Sequence, residues 1–330
     1  MYQPEAYGIV LAFMIVSMLC WGSWANMLKL CPGFRFQLFY WDYVGGLLLG
    51  AIFWGLTLGS HGDAGRSFFS DIAQIHLRNA LLAFLGGVIF NVANLLLVAA
   101  IDIAGLAVAF PIGIGLALVV GAVGSYLVSP QGNPILLFGG VAFVVAAIAF
   151  DALAYRLREQ NRSAMSRRGL VISLIAGALM GCFYPFVSAA MTGTASVGPY
   201  AAVFFFAVGV GACAIPFNWA LMRKPLDGRQ PASMRQYWRA PVVFHLWGIL
   251  GGAIWCAGAV LNFVASEAHI VGPAVSYSIG QGATMISACW GVFVWREFSA
   301  APARSRVYLG LMFGLFLSGL TAVAVAPLFS

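Results

Sequence analysis

The stretch GGVIFNVANLLLVAAIDIAGLAVAFPIGIGLALVVGAVG, residues 86–124, decides how this chain is read, because it comes twice. Residues 86–104 laid on 251–269 share Gly86, Gly87, Ile89, Leu96 and Ala100. After a two-residue insertion, 105–124 falls on 272–291 with seven further identities, four of them glycines. Apolar segments match by chance more readily than ordinary sequence, but glycines recurring in the same order are not explained by composition alone. Each copy holds two apolar spans joined by almost no loop, and the copies lie half a chain apart, the pattern of a duplicated membrane unit.

Composition agrees. With 62% hydrophobic and 8% charged residues, the chain cannot be a soluble domain, where about 25% is charged. The apolar runs suit helices of about 20 residues across a hydrocarbon core, not the ~10-residue alternating strands of an outer-membrane barrel. A net charge of +7 would suggest nucleic acid in a soluble protein; here the basic residues sit in loops, where they set orientation. The six cysteines show no CxxC spacing and read as small core residues, with no disulfide or metal framework. Residues 1–7 carry Glu5 and no Lys or Arg, so a cleavable signal peptide is not expected.

Ten spans are predicted, near 7–28, 38–58, 79–100, 104–128, 134–155, 169–190, 199–222, 243–264, 272–295 and 305–328. This makes an all-α integral membrane protein of two five-helix units, 1–155 and 169–330, joined by a basic linker at 156–168. Because five is odd, the second unit enters the membrane from the opposite side, giving an inverted repeat. All but Arg66 and Arg78 of the 17 Lys and Arg residues lie in loops on one side. That side is therefore cytoplasmic, and both termini are expected outside, in the cell (inner or plasma) membrane.

Few polar residues interrupt the spans. Ser17, Trp21 and Trp24 form a stripe on one face of the first helix, set for bundle packing or for stacking on a flat solute. Asp42 lies about one turn inside the second span among Phe39, Tyr40, Trp41 and Tyr43. A carboxyl there is costly unless partnered, and serves either structure or proton transfer. Asn91 and Asn94 share a face of the third span, where amides either bond across helices or line a path. Asp102 is placed to cap the fourth span, and Glu267 corresponds to it across the repeat, as a cap or near a gate. Tyr184 roughly answers the tryptophans of the first half; Trp255 and Asn262 belong to the eighth span. Tyr277, Gln281 and Thr284 make the most polar helical face in the chain. Local ion pairs are expected for Arg296 with Glu297 in WGVFVWREF and for Asp151 with Arg156 or Arg158. No Walker sequence or metal-ligand cluster appears, no cofactor is expected, and the acids are too dispersed for an intramembrane enzyme.

This arrangement resembles the drug/metabolite transporter superfamily. The segments Trp21-Gly22-Ser23-Trp24, Tyr40-Trp41-Asp42-Tyr43, Gly86-Gly87 with Asn94, Gln281, and Trp290-Gly291-Val292 with Glu297-Phe298 look like the ureide permeases and the neighbouring glucose/ribose porters. Asn262 stands where the plant permeases have a glutamine. The resemblance implies proton-coupled movement of ureides, nucleobases or similar small polar solutes. The alternatives are a sugar porter or metabolite or drug exporter of the same fold, and a non-transporting membrane receptor or scaffold. The expected binding set is Trp21, Trp24, Asn94, Tyr184, Trp255, Asn262, Tyr277 and Gln281 around one central cavity, with Asp42, or failing it Glu267, as the proton-coupling acid.

Overall fold

The computed structural model describes residues 1–158, 166–193, 196–268 and 270–329. Of the expected linker, 159–165 lie outside the described residues, as does His269 at the end of the aligned repeat. The helices are α1 Tyr7–Ser23, α2 Asn26–Lys29, α3 Phe36–Leu56, α4 Phe68–Gln74, α5 Leu77–Ala104, α6 Leu106–Val128, α7 Pro134–Arg158, α8 Arg167–Met191, α9 Pro199–Arg223, α10 Met234–Trp238, α11 Val242–Glu267, α12 Pro273–Gly280, α13 Ala283–Cys289 and α14 Ala303–Val325. Among the described residues nine helical stretches are long and apolar enough to cross a membrane.

Local chemistry sets the ends. Pro134, Pro199 and Pro273 open α7, α9 and α12, where a missing N–H costs nothing. Ser166 and Ser233 cap α8 and α10 through their side chains. The joint between α5 and α6 is the single residue Gly105 (φ 80°, ψ 156°), and Gly272 (φ 74°, ψ 166°) holds the corresponding place immediately before α12. That backbone region is essentially closed to residues with a Cβ. Asp102 caps nothing; it lies in the last turn of α5 and pairs with Arg229 at 3.2 Å.

The interior is held by helices that approach through glycine. A Cβ on Gly87 would stand 2.0 Å from the Phe206 carbonyl oxygen, and one on Gly209 2.1 Å from that of Phe84, locking α5 to α9. The same relation joins α11 to α3: Gly252 faces the carbonyl of Tyr43 and Gly46 that of Ile249, each at 1.9 Å. Phe84 and Gly87 are spaced as Ile249 and Gly252 are, and Tyr43 and Gly46 as Phe206 and Gly209. Contacts this close need a residue without a side chain on one partner. α7 and α14 pair in the same way, Gly140 and Gly319 each lying against the other's carbonyl.

The ninth expected span, 272–295, is not one helix. The chain breaks at Gln281-Gly282, where Gly282 donates to Ile279 and Thr284 to Gln281, bonds to the third residue back in place of the fourth. It then runs through α13 into a π-helical turn, Trp290–Val294. A backbone irregularity inside a membrane is tolerated where it faces a cavity rather than lipid, and this one does.

Candidate functional site

One cavity, with about 170 Å³ of water-accessible space, lies between α1, α5, α6, α8, α11 and the α12–α13 break. Its aromatic wall is built from both halves of the chain. Trp21 and Trp255 stack with ring centroids 5.7 Å apart and planes 23° apart, and the Trp21 indole N–H donates to the Trp255 carbonyl at 3.3 Å. Phe90 packs against Trp255 at 4.5 Å, and Trp24 leans on Tyr43 at 4.8 Å. Met180 and Phe183 of α8 complete this wall, with Phe110 and Ile114 of α6 opposite. Polar atoms come from Asn94, Gln281, Thr284 and Ser287, and among the described residues no charged side chain lines the cavity. Asn94 is 6% exposed, and its amide Nδ2 makes no hydrogen bond of good geometry to protein, with the Tyr40 side chain as its polar neighbour. A buried donor left unspent costs about 1–3 kcal/mol, and Asn94 lines the cavity.

Five of the eight expected residues, Trp21, Trp24, Asn94, Trp255 and Gln281, lie on this wall. Tyr184, Asn262 and Tyr277 do not; they bond to protein instead. Tyr184 donates to Asn262 Oδ1 at 2.5 Å, Asn262 Nδ2 donates to the Ser276 carbonyl at 3.0 Å, and Tyr277 donates to the Ala117 carbonyl at 3.0 Å. On α8 the wall positions fall to Met180 and Phe183, and Tyr184 is turned about 100° onward from Phe183. The Gln281 break sends Tyr277 to a different direction from Gln281 and Thr284, which stay on the wall. Gly280 brings the two groups together, since a Cβ there would sit 2.6 Å from the Trp21 ring and 2.9 Å from Asn262 Nδ2.

Asp42 and Glu267 also lie off the wall, at opposite ends of α11. Asp42 is 6% exposed and is held by Tyr237 of α10 and His245 of α11. Glu267 is 22 residues beyond His245, about 33 Å along a helix, at the terminus where Gln3 donates to its backbone carbonyl.

At the basic end the WGVFVWREF segment ties three elements together. Glu297 binds Lys29 at 2.6 Å and Arg158 at 2.5 Å rather than Arg296. Trp290 donates to Ser23 and Trp295 to Asn26. Neither Arg156 nor Arg158 bonds to Oδ1 of Asp151, which is buried with that oxygen unpartnered. Burial works to raise the Glu297 carboxyl, but the hydrogen bonds and charges of Lys29 and Arg158 outweigh it and hold it below its usual value. A carboxylate depressed in the folded state stabilises above its unfolded value of about 4.3 and loses that contribution as pH falls through the folded one. Glu297→Gln should therefore melt lower than wild type at pH 7, with the two curves converging towards pH 3 in differential scanning fluorimetry.

An all-helical bundle around an uncharged aromatic cavity is the build of a membrane transporter of small solutes. The chain belongs to the family described as Sugar transport protein, whose profile matches residues 11–326. It is similar over its whole length to Ureide permease 1 and Ureide permease 2 of Arabidopsis thaliana, each 24% identical with 98% of both chains covered. A solved structure described as "Crystal structure of protein" superposes with a TM-score of 0.64 at 14% identity, covering 96% of each chain, and so shares the fold. The chain is thus a ureide permease-like transporter, not an enzyme.

Proposed function

We propose that this protein is a secondary transporter of small, uncharged, nitrogen-rich solutes of the ureide or nucleobase kind, moved together with protons. The observation that carries the reading is the cavity itself: stacked indoles for a flat ring, an unspent Asn94 amide for a carbonyl, and no charge among the described residues of the wall. The names of the plant relatives support the solute class. The family's description favours a sugar as the second reading, since sugar faces also stack on indoles.

The same proposal takes the chain as two inverted five-helix units, with the broken α12–α13 segment as the ninth span. The paired glycine crossings, α5 on α9 and α11 on α3, support it, being one contact made twice with the halves exchanged. Both termini then face away from the cytoplasm. Reporter fusions after Tyr7 and at the C-terminus should be active only outside, and a cytoplasmic signal from either would sink this topology.

Thermal stabilisation of the purified protein by allantoin, uracil and glucose, followed by uptake of any stabilising solute into proteoliposomes, tests the function. A receptor or scaffold would bind without flux. Asn94→Leu and Gln281→Leu should each weaken binding by about 1–3 kcal/mol, roughly five- to 150-fold, with the fold kept. Wild-type affinity in both would place the solute elsewhere.

A further inference from the structure

The cluster around Asp42 is built for more than burial of one acid. Tyr237 donates to Asp42 Oδ1 at 2.5 Å and His245 Nδ1 lies 2.8 Å from Oδ2, so each carboxylate oxygen is engaged by a different helix. The rings of Tyr237 and His245 meet edge to face at 4.6 Å, and Phe34 closes the imidazole from the α2–α3 turn at 5.8 Å. A surface recess of about 380 Å³, separate from the central cavity, is lined by Phe34, which packs on the imidazole, with Arg35 and Arg239, and by Gln236 and Phe244, the chain neighbours of Tyr237 and His245. His245 keeps 20% of its side chain exposed while Asp42 keeps 6%. The imidazole thus stands between water and the acid.

Other groups around the pair do not compete for a proton. Burial first, and then the Asp42 charge, pushes the Cys31 thiol up to about 11. Burial and the bond to Asp42 hold the Tyr237 phenol well above its usual value, so it remains a donor. Arg35 is bound to the Gln230 carbonyl. On the α9 side, Asn218 and Met222 are taken by the Gln37 carbonyl and the Trp41 indole.

We propose that Asp42 and His245 together form the proton-binding site, loaded through this recess, with Tyr237 as a positioning residue. The assignment rests on the transport reading above and names the site of its coupling ion. The pair gains one proton and one unit of charge on loading and loses both on release. It sits on the α3–α11 crossing, where a Cβ on Gly248 would stand 2.4 Å from Asp42 Cβ. Beyond it the same two helices carry Tyr43, which supports Trp24, and Trp255. A change of charge in the pair therefore acts on the contact from which two cavity indoles are held.

Two measurements test this on the full-length protein in detergent, without a substrate. The four histidines are followed by NMR from pH 5 to 9, with His245 identified by its loss in His245→Gln. Tryptophan emission is recorded over the same range. The His245 signal should titrate differently in Asp42→Asn and in wild type. Wild-type emission should change with the His245 midpoint, and the change should vanish in Asp42→Asn and His245→Gln. Tyr237→Phe, which keeps the ring, should shift the midpoint without abolishing the change. An emission transition that persists unaltered in His245→Gln overturns the proposal, as does a His245 midpoint indifferent to Asp42→Asn. A third arm separates the site from the function: pH-gradient-driven accumulation of allantoin, uracil or glucose in proteoliposomes. Titration as expected without accumulation supports the proton site and overturns proton-coupled transport.

Discussion

Alanine at Gly46 should leave little folded protein, while alanine at Gly45, its chain neighbour, should leave the yield and melting temperature unchanged or slightly raised. The two differ only in what surrounds them. A Cβ on Gly46 would lie 1.9 Å from the Ile249 carbonyl oxygen and 2.8 Å from its Cα, whereas one on Gly45 meets nothing within 4 Å. Backbone cannot rotate aside as a side chain does, so α3 and α11 would have to part along their length. Overpacking costs typically 1–3 kcal/mol where side chains can adjust, and here about 3 kcal/mol or more is expected. At Gly45 the loss of glycine from a helix interior gains up to about 1 kcal/mol. Size-exclusion profiles of the two variants in detergent check the contrast; equal profiles would mean that α3 and α11 are not in contact as described.

The second large effect is at Trp255, which is 5% exposed and touches Trp21, Phe90 and Phe206. Trp255→Ala should lose about 3–5 kcal/mol of stability, the usual cost of a large aromatic deleted from a packed interior. Solute binding should fall further than in Asn94→Leu, because the surface on which a ring would stack goes with it. Trp255→Phe separates the two effects, since it keeps a ring against Phe206 and Phe90 and shortens only the face towards Trp21. It should recover most of the melting temperature and less of the affinity, as measured by thermal shift with and without solute. If Trp255→Ala binds as wild type does, the cavity is not where the solute sits.

Much of the helical layout could be read in the chain because hydrocarbon imposes long apolar runs, and glycine pairs mark where such helices touch. Trp21, Trp24, Asn94, Trp255 and Gln281 were legible because a polar or indole group deep in a span has few other uses. Phe90, Met180 and Phe183 were not, since an apolar side chain facing a cavity is indistinguishable in sequence from one facing a neighbouring helix. Tyr184, Asn262 and Tyr277 misled for the converse reason: buried polar groups must find partners, and these find one another or a carbonyl. Partners remote in sequence were invisible too. Nothing near Asp42 in the chain announces His245, 203 residues away, or shows that Glu297 would take Lys29 and Arg158. The break at Gln281 was hidden because Gly280 and Gly282 fit a helix joint and a close helix crossing equally well.

That break bears on how the protein could acquire a new specificity. Where Thr284 bonds to Gln281, it leaves the carbonyl of Gly280, a wall residue, without the helical partner it would have had four residues on. An acceptor belonging to the main chain survives every side-chain replacement. A library that varies the tryptophans and amides can therefore resize the cavity and still leave this backbone acceptor in place. Side-chain replacement then alters the outline of the cavity sooner than the main-chain break on which it is built.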